Sequence, residues 1–155
     1  DYTTGCMPPD RPRYLMGVGR PLDLVEGVAR GIDMFDCVLP TRVARNGTAY
    51  TSGGAINLRA GHQKEDFGPI EEGCECFACT HHTRAYLRHL LKAREILGLR
   101  MLSVHNSHFY HKVMRQIRRH LAEGTFDDYR EEFIARYKPT SKVLEGRANS
   151  KLKAL

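Results

Sequence analysis

Three thiols fall within six residues at Cys74-x-Cys76-x-x-Cys79, and an imidazole, His105, lies further along the chain. Thiolate and imidazole are the ligands zinc prefers, and a structural zinc site takes four of them in a tetrahedron. The three cysteines can wrap one ion from a tight loop, so His105 must return from a separate segment. A set of four leaves no open coordination position, which makes the expected metal a single structural Zn2+ rather than a catalytic one. His81, His82 and His89 are rival ligands on position alone, and reduced cysteines beside a core histidine are the bland alternative. A second candidate is the carboxylate of Asp36 in Asp33-Met34-Phe35-Asp36-Cys37, with Asp33 as its rival. Asp36 would sit at the C-terminal end of a short strand, the end that carries chemistry in β/α barrels. A third is Thr41-Arg42-Val43-Ala44-Arg45-Asn46-Gly47, whose two arginines could grip phosphates in bidentate fashion or form a solvated loop. The fourth is Gly17-Val18-Gly19, where glycine permits close backbone approach to a ligand or simply a tight turn.

Elements to hold these groups can be read from periodicity. Residues 1–12 are rich in Pro, Gly and Thr and read as a loop. Tyr14 to Val18 is a short apolar strand, and Pro21 suits the first turn of a helix running to Arg30, with Gly31 as its stop. Ile32 to Val38 is a second strand, ended by Pro40. Strand, helix, strand is a βαβ unit with parallel strands. Parallel sheets are buried on both faces, so the rest of the sheet is expected outside this chain. Residues 41–47 read as a basic loop. Residues 48–51 and 55–59 read as a hairpin around Ser52-Gly53-Gly54, and 60–73 as loop. A helix over 83–97 carries Leu87, Leu90, Leu91 and Leu97 and is stopped by Gly98. Residues 101–104 form an apolar stretch leading to His105. A further helix over 107–122 shows the stripe Phe109, Val113, Ile117, Leu121 and ends at Gly124. Thr125 can cap a last helix through about Tyr137, with Phe126, Tyr129, Phe133 and Tyr137 inward; a basic, frayed tail follows from Lys138.

The chain has 155 residues, 41% hydrophobic and 27% charged, which fits a globular domain and excludes collagen and coiled coil. No apolar run reaches the length of a membrane span. A formal charge of +6 and a sequence pI near 9.2 suit a polyanionic partner such as nucleic acid. Five cysteines, three of them clustered, make a poor disulfide framework and a good metal cluster. With no signal-peptide pattern at the start, a reducing cytoplasm is the expected compartment, and the sequon Asn46-Gly47-Thr48 is discounted. The chain opens on Asp1 with residues that read as the middle of a polypeptide, so a fragment is expected.

The strings RYLMGVG (13–19), DLVEGVARGIDMFDCVLPTR (23–42), ARNG (44–47), CECFAC (74–79), RAYLRHL (84–90), EILG (95–98) and VHN (104–106) together resemble the C-terminal part of tRNA-guanine transglycosylases, the queuine tRNA-ribosyltransferases. The resemblance runs in family order to about residue 137. It implies an α/β fold, the C-terminal part of a (β/α)8 TIM barrel with a zinc-binding subdomain. Segment 1–48 would supply the last two strands with the nucleophile and an RNA-contacting loop. Segment 49–106 would be the hairpin and zinc insertion, and 107–155 the final helices and basic tail.

It further implies exchange of guanine at the wobble position of tRNA anticodons for a 7-deazaguanine base, through a covalent aspartyl-ribose intermediate. The nucleophile aligns with Asp36 rather than Asp33. The zinc ligands align with Cys74, Cys76, Cys79 and His105. The RNA-contacting segments align with Gly17, Val18, Gly19, Arg20, Pro21, Leu22 and Asp23, and with Thr41, Arg42, Val43, Ala44 and Arg45. The expected partners are the tRNA anticodon loop and the base substrate, with a homodimer in the intact enzyme and no membrane. The early stop after the zinc lobe favours the bacterial type, which installs a 7-aminomethyl-7-deazaguanine precursor. The general acid/base and the purine-clasping residues belong to the first part of the family barrel, so this piece alone is expected to be inactive. Arg42 or Arg45 is expected to lower the pKa of Asp36. A non-catalytic, zinc-containing tRNA-binding module or accessory subunit is the competing reading.

Overall fold

The computed structural model describes residues 2–138. The expected basic tail therefore lies, apart from Lys138, outside the described residues. A short helix α1 (Tyr2–Gly5) interrupts what was expected to be a loop. Strand β1 (Tyr14–Leu15), helix α2 (Pro21–Ala29) and strand β2 (Met34–Phe35) then form the expected βαβ unit, with β1 and β2 parallel and Tyr14 opposite Met34. The strands are shorter than the apolar runs that announced them. Pro21 opens α2, and Gly31 takes the left-handed turn out of it at φ +83°.

Residues 41–47 are not a loop. Helix α3 (Leu39–Arg45) covers most of them. Pro40 was expected to end the second strand, but β2 stops at Phe35 and Pro40 sits in the first turn of α3, where its missing N–H is no loss. The first α-helical bond runs from Arg42 N to Val38 O at 2.9 Å. Strands β3 (Thr48–Thr51) and β4 (Gly54–Asn57) form the expected antiparallel hairpin. A 3-10 helix over Gly61–Glu65 breaks the loop expected after it. Helix α4 (Phe77–His81) carries the last cysteine of the cluster.

Helix α5 (Arg84–Ala93) ends at Arg94, which adopts a left-handed conformation at φ 61°. Gly98 was expected to be the stop, yet it is buried inside the next helix, α6 (Ile96–Glu123). A Cβ there would meet Leu90 Cβ at 3.0 Å, so glycine lets α5 and α6 approach closely. Leu97 belongs to α6 and is 40% exposed, off the face expected for it. The short stretch 101–104 and the helix expected from 107 are one unbroken rod, because the polar pair His105 and Asn106 interrupts the apolar stripe without interrupting the helix. Gly124 ends α6 in the left-handed conformation, as expected. Helix α7 (Phe126–Arg136) follows with Phe126, Tyr129, Phe133 and then Tyr137 buried. Thr125 stands at its N-cap position but bonds His120 Nδ1 at 2.7 Å instead of capping.

Two cores result. One gathers Leu58, Ile70, Leu87, Leu90, Leu91, Met101 and Leu102 around the cysteines. The other gathers Val25, Phe109, Val113, Ile117, Phe126 and Phe133. Successive residues of a strand point to opposite faces, and β3 uses this: Ala49 enters the first core and Tyr50 the second. Helix α6 does the same along its length, with His105 and Asn106 at the junction. Lys138 is tied to the hairpin by its backbone N–H, 3.2 Å from Gly53 O.

Candidate functional site

Cysteines 74, 76 and 79 lie on the turn into α4, and α6 brings His105 to them from the opposite side. His105 is fully buried. Its Nδ1 lies 3.8, 3.4 and 3.4 Å from the sulfurs of Cys74, Cys76 and Cys79. A tetrahedral ion with bonds of about 2.3 Å to sulfur and about 2.0–2.1 Å to nitrogen separates the two by about 3.6 Å. The cluster therefore already has the dimensions of such a shell, and all four ligand atoms lie within 4.8 Å of one another.

The tautomer fits as well. His105 Nε2 is 2.7 Å from Tyr50 O, a carbonyl that can only accept, so Nε2 carries the proton. That leaves the Nδ1 lone pair facing the thiols, the arrangement metal-bound histidines use. The Cys79 thiol donates to Cys76 and holds the Cys76 thiol well below the usual range, while that bond and burial push Cys79 up. Burial also pushes Cys74 up. Three thiolates this close together require a cation to share their charge. Among the described residues no other histidine joins the cluster. His81 stacks on Phe77 at 4.2 Å, His82 lies against Tyr86 at 5.2 Å, and His89 is exposed.

The two aspartates have different surroundings. Asp33 accepts the backbone N–H of Arg13 at 2.8 Å and so ties the entry of β1 to β2. Asp36, just past β2, is exposed and borders a cavity of about 200 Å³ with Phe35, Pro40, Tyr110 and Met114. Its Oδ1 accepts the Gly17 N–H at 3.0 Å and the Tyr14 hydroxyl at 2.8 Å. Those two bonds, the Gly17 one foremost, hold its carboxyl below the ordinary range. Neither Arg42 nor Arg45 contributes to that shift: backbone amide and phenol do the work expected of the arginines.

Tyr14 was read only as a strand residue. The signal was there, since Tyr14 pairs with Met34 and Asp36 follows Met34 by two residues, the period that returns a side chain to the same face. Removing the phenol should raise the carboxyl pKa, because a hydrogen bond to the charged form favours it. In a Tyr14→Phe variant of the full-length protein, the acid limb of any Asp36-dependent reaction is expected to move to higher pH. A pH–rate profile reads this out, and an unmoved limb would contradict it.

The glycine pair divides by role. Gly17 has φ +71° and faces open space. Gly19 is buried, and a Cβ on it would fall 2.0 Å from Cys37 Sγ, so its close approach is to the residue beside Asp36 and not to a ligand. Of the two segments expected to meet RNA, Arg20, Thr41, Arg42 and Arg45 are exposed, together with Gly17. Val18, Leu22, Asp23 and Val43 are half-buried, whereas Pro21 and Ala44 are buried scaffold. Arg42 and Arg45 share the last turn of α3, three residues apart and hence on one face.

The sequence model of the family described as queuine tRNA-ribosyltransferase matches residues 1–139. Curated relatives carry the same name. A protein of Symbiobacterium thermophilum is 58% identical over 131 residues, covering 84% of this chain and 33% of that protein. One of Pelotomaculum thermopropionicum is 53% identical over 137 residues, 88% and 37%. One of Bacillus subtilis strain 168 is 50% identical over 145 residues, 92% and 38%. The chain thus spans about a third of the length of the curated relatives it matches.

Proposed function

The chain belongs to the queuine tRNA-ribosyltransferase family, and from that premise we propose that it is the nucleophile-bearing part of a tRNA-guanine transglycosylase. The reaction is base exchange at the wobble position of tRNA anticodons, guanine leaving and a 7-deazaguanine base entering. The carboxylate of Asp36 attacks the ribose C1′ as the C1′–N9 bond breaks and guanine departs with the electron pair. The incoming base then displaces the carboxylate. Two displacements at an anomeric carbon retain configuration, as in glycosidases with a carboxylate nucleophile.

The observation that carries this reading is the environment of Asp36. An exposed carboxylate held ionised by two hydrogen bonds, on the rim of a cavity, is suited to attack. That also favours the enzyme over a non-catalytic RNA-binding module. The remainder of the (β/α)8 barrel, with the general acid and the purine-binding residues, belongs in this proposal to the rest of the protein. Residues 1–48 supply two strands of it. Arg20, Arg42 and Arg45 are offered as the phosphate-facing cations.

The metal is one structural Zn2+ held by Cys74, Cys76, Cys79 and His105, fitting the donor set and its spacing. Its chemistry is charge neutralisation of three thiolates, which locks the hairpin, α4 and α6 together. A homodimer is proposed for the intact enzyme. A continuous row of rings on the metal lobe supports it: Phe77, 53% exposed, then His82 and Tyr86, 42% exposed. The base is taken to be the aminomethyl precursor. No helix among the described residues is long and apolar enough to cross a membrane.

The test is a covalent complex between the full-length protein and an anticodon stem-loop with guanine at the wobble position, surviving denaturation. It should dissolve on adding the deazaguanine base. Failure to form any such complex before the deazaguanine base is added would overturn the reading.

A further inference from the structure

Helix α6 touches both sides of the Asp36 segment with two side chains one helical turn apart. Asn106 is fully buried, and its amide is used three ways. Its Oδ1 accepts the Tyr50 N–H at 2.9 Å, while Nδ2 donates to Pro40 O at 2.9 Å and to Thr48 O at 3.1 Å. The amide cannot be flipped, because a backbone N–H requires the oxygen and the two carbonyls require the nitrogen. Pro40 lies in the first turn of α3, four residues beyond Asp36. Tyr110 follows Asn106 by one turn. Its hydroxyl donates to Gly19 O, the carbonyl that also receives the Cys37 thiol at 3.7 Å. Gly19 ends the same three-residue turn whose Gly17 N–H binds Asp36. The Tyr110 ring is held in turn against Tyr50, 5.5 Å away, and Tyr50 is the residue whose peptide is gripped by His105 and Asn106.

We propose that Asn106 and Tyr110 are positioning residues for the nucleophile: Tyr110 fixes the turn before Asp36 and Asn106 fixes the helix start after it, both from the rigid rod of α6. The proposal rests on the reading of Asp36 as the nucleophile. The reason it matters is geometric. Asp36 lies on the short link between the two-residue strand β2 and α3, where residues 36–38 are exposed or half-buried and bring no core of their own. A displacement of about 1 Å at a reacting carboxylate can reduce rate roughly 100-fold without altering ground-state binding. Phosphate contacts made elsewhere would be untouched, so RNA affinity and rate should separate.

The experiment uses the full-length protein with Tyr110→Phe, which keeps the ring and loses one hydroxyl, and Asn106→Ala. Single-turnover adduct formation is expected to slow roughly 10- to 100-fold, with RNA KM held within about twofold and zinc content at one per chain. The acid limb of the rate profile should also move to higher pH, since a looser turn weakens the Gly17 bond to Asp36. Cys37, Tyr110 and His111 are the other titratable groups on that cavity, and only Tyr110 is changed. A lower melting temperature with normal rate and pH profile in both variants would overturn the proposal, as would a defect confined to RNA KM. An adduct persisting in Asp36→Asn would overturn the functional reading, and this inference with it. Asp36 dependence intact but both variants at wild-type rate would overturn the inference alone.

Discussion

Replacing Asp36 by Asn in the full-length protein should abolish the covalent RNA adduct and reduce base exchange by on the order of 10⁴- to 10⁶-fold, the range seen when a nucleophile is deleted from a catalytic constellation. Asn keeps the size of the side chain and can still accept from the Gly17 N–H and the Tyr14 hydroxyl through its carbonyl oxygen. The turn is therefore expected to stay in place, and the protein to bind RNA with near-normal affinity. What is lost is the anionic oxygen that forms the bond to C1′. Denaturing electrophoresis with labelled stem-loop measures the adduct, and filter binding measures affinity. Asp33→Asn is the contrasting case. Asn can still accept the Arg13 N–H at the entry of the parallel pair and only loses the charge, so it should lower stability by at most about 1 kcal/mol and leave adduct chemistry present. An adduct retained in Asp36→Asn and lost in Asp33→Asn would reverse the assignment.

Removal of the metal should have the largest effect on stability. Structural zinc in small sites contributes on the order of 10 kcal/mol of folding free energy, because the ligands are gathered only in the folded state. Here Cys74 and Cys76 belong to the first core with Ile70, Leu87, Leu91 and Leu102, Cys79 packs against it, and His105 is fully buried beside the three thiols. Without a cation the thiols lose their shared counter-charge, and the contact between the α4 turn and α6 loses its strongest tie. Chelation is expected to release backbone amides through residues 74–105 to hydrogen exchange. Helix α7 should keep much of its protection, because Phe126, Tyr129 and Phe133 pack in the second core, which contains none of the ligands. Unchanged exchange over 74–105 after verified metal loss would contradict the structural role. Uniform loss across both cores would instead make α6 the unit of cooperativity, which its passage through both allows.

Local signals carried a long way. The proline and glycine that bracket α2, the glycine-bearing hairpin turn, though Gly54 belongs to β4 and not to the turn, and the glycine that ends α6 were each legible because their φ preferences act within a few residues. The aromatic repeat of α7 was legible because its period is that of a helix facing one core. Among the features that were not legible are helix α3, the stop between α5 and α6, and the length of α6. Helix α3 was hidden because its proline reads equally as the end of a strand or the start of a helix. The stop between α5 and α6 was misplaced because Gly98 is required by Leu90 across the helix pair and not by the backbone at that point. The length of α6 was concealed because His105 and Asn106 look like a break in the stripe until the groups they bind are seen.

The same division holds at the candidate site. Sequence alone determined which residue types are present, the spacing of the cysteine trio, and the strings that mark the family. Those are properties of neighbours along the chain, and spacing within one turn decides them. The choice of His105 over three other histidines, which resemblance indicated, is realised physically by a helix that crosses beneath the hairpin and by a carbonyl of Tyr50 that orients the ring. The groups that keep Asp36 ionised, Gly17 N–H and Tyr14, replaced the nearby arginines in that role only when the two strands were laid side by side. A hydrogen bond acts over about 3 Å and depends on direction, so it is set by where segments meet in space. The chain states which groups it has; the tertiary structure decides which of them touch.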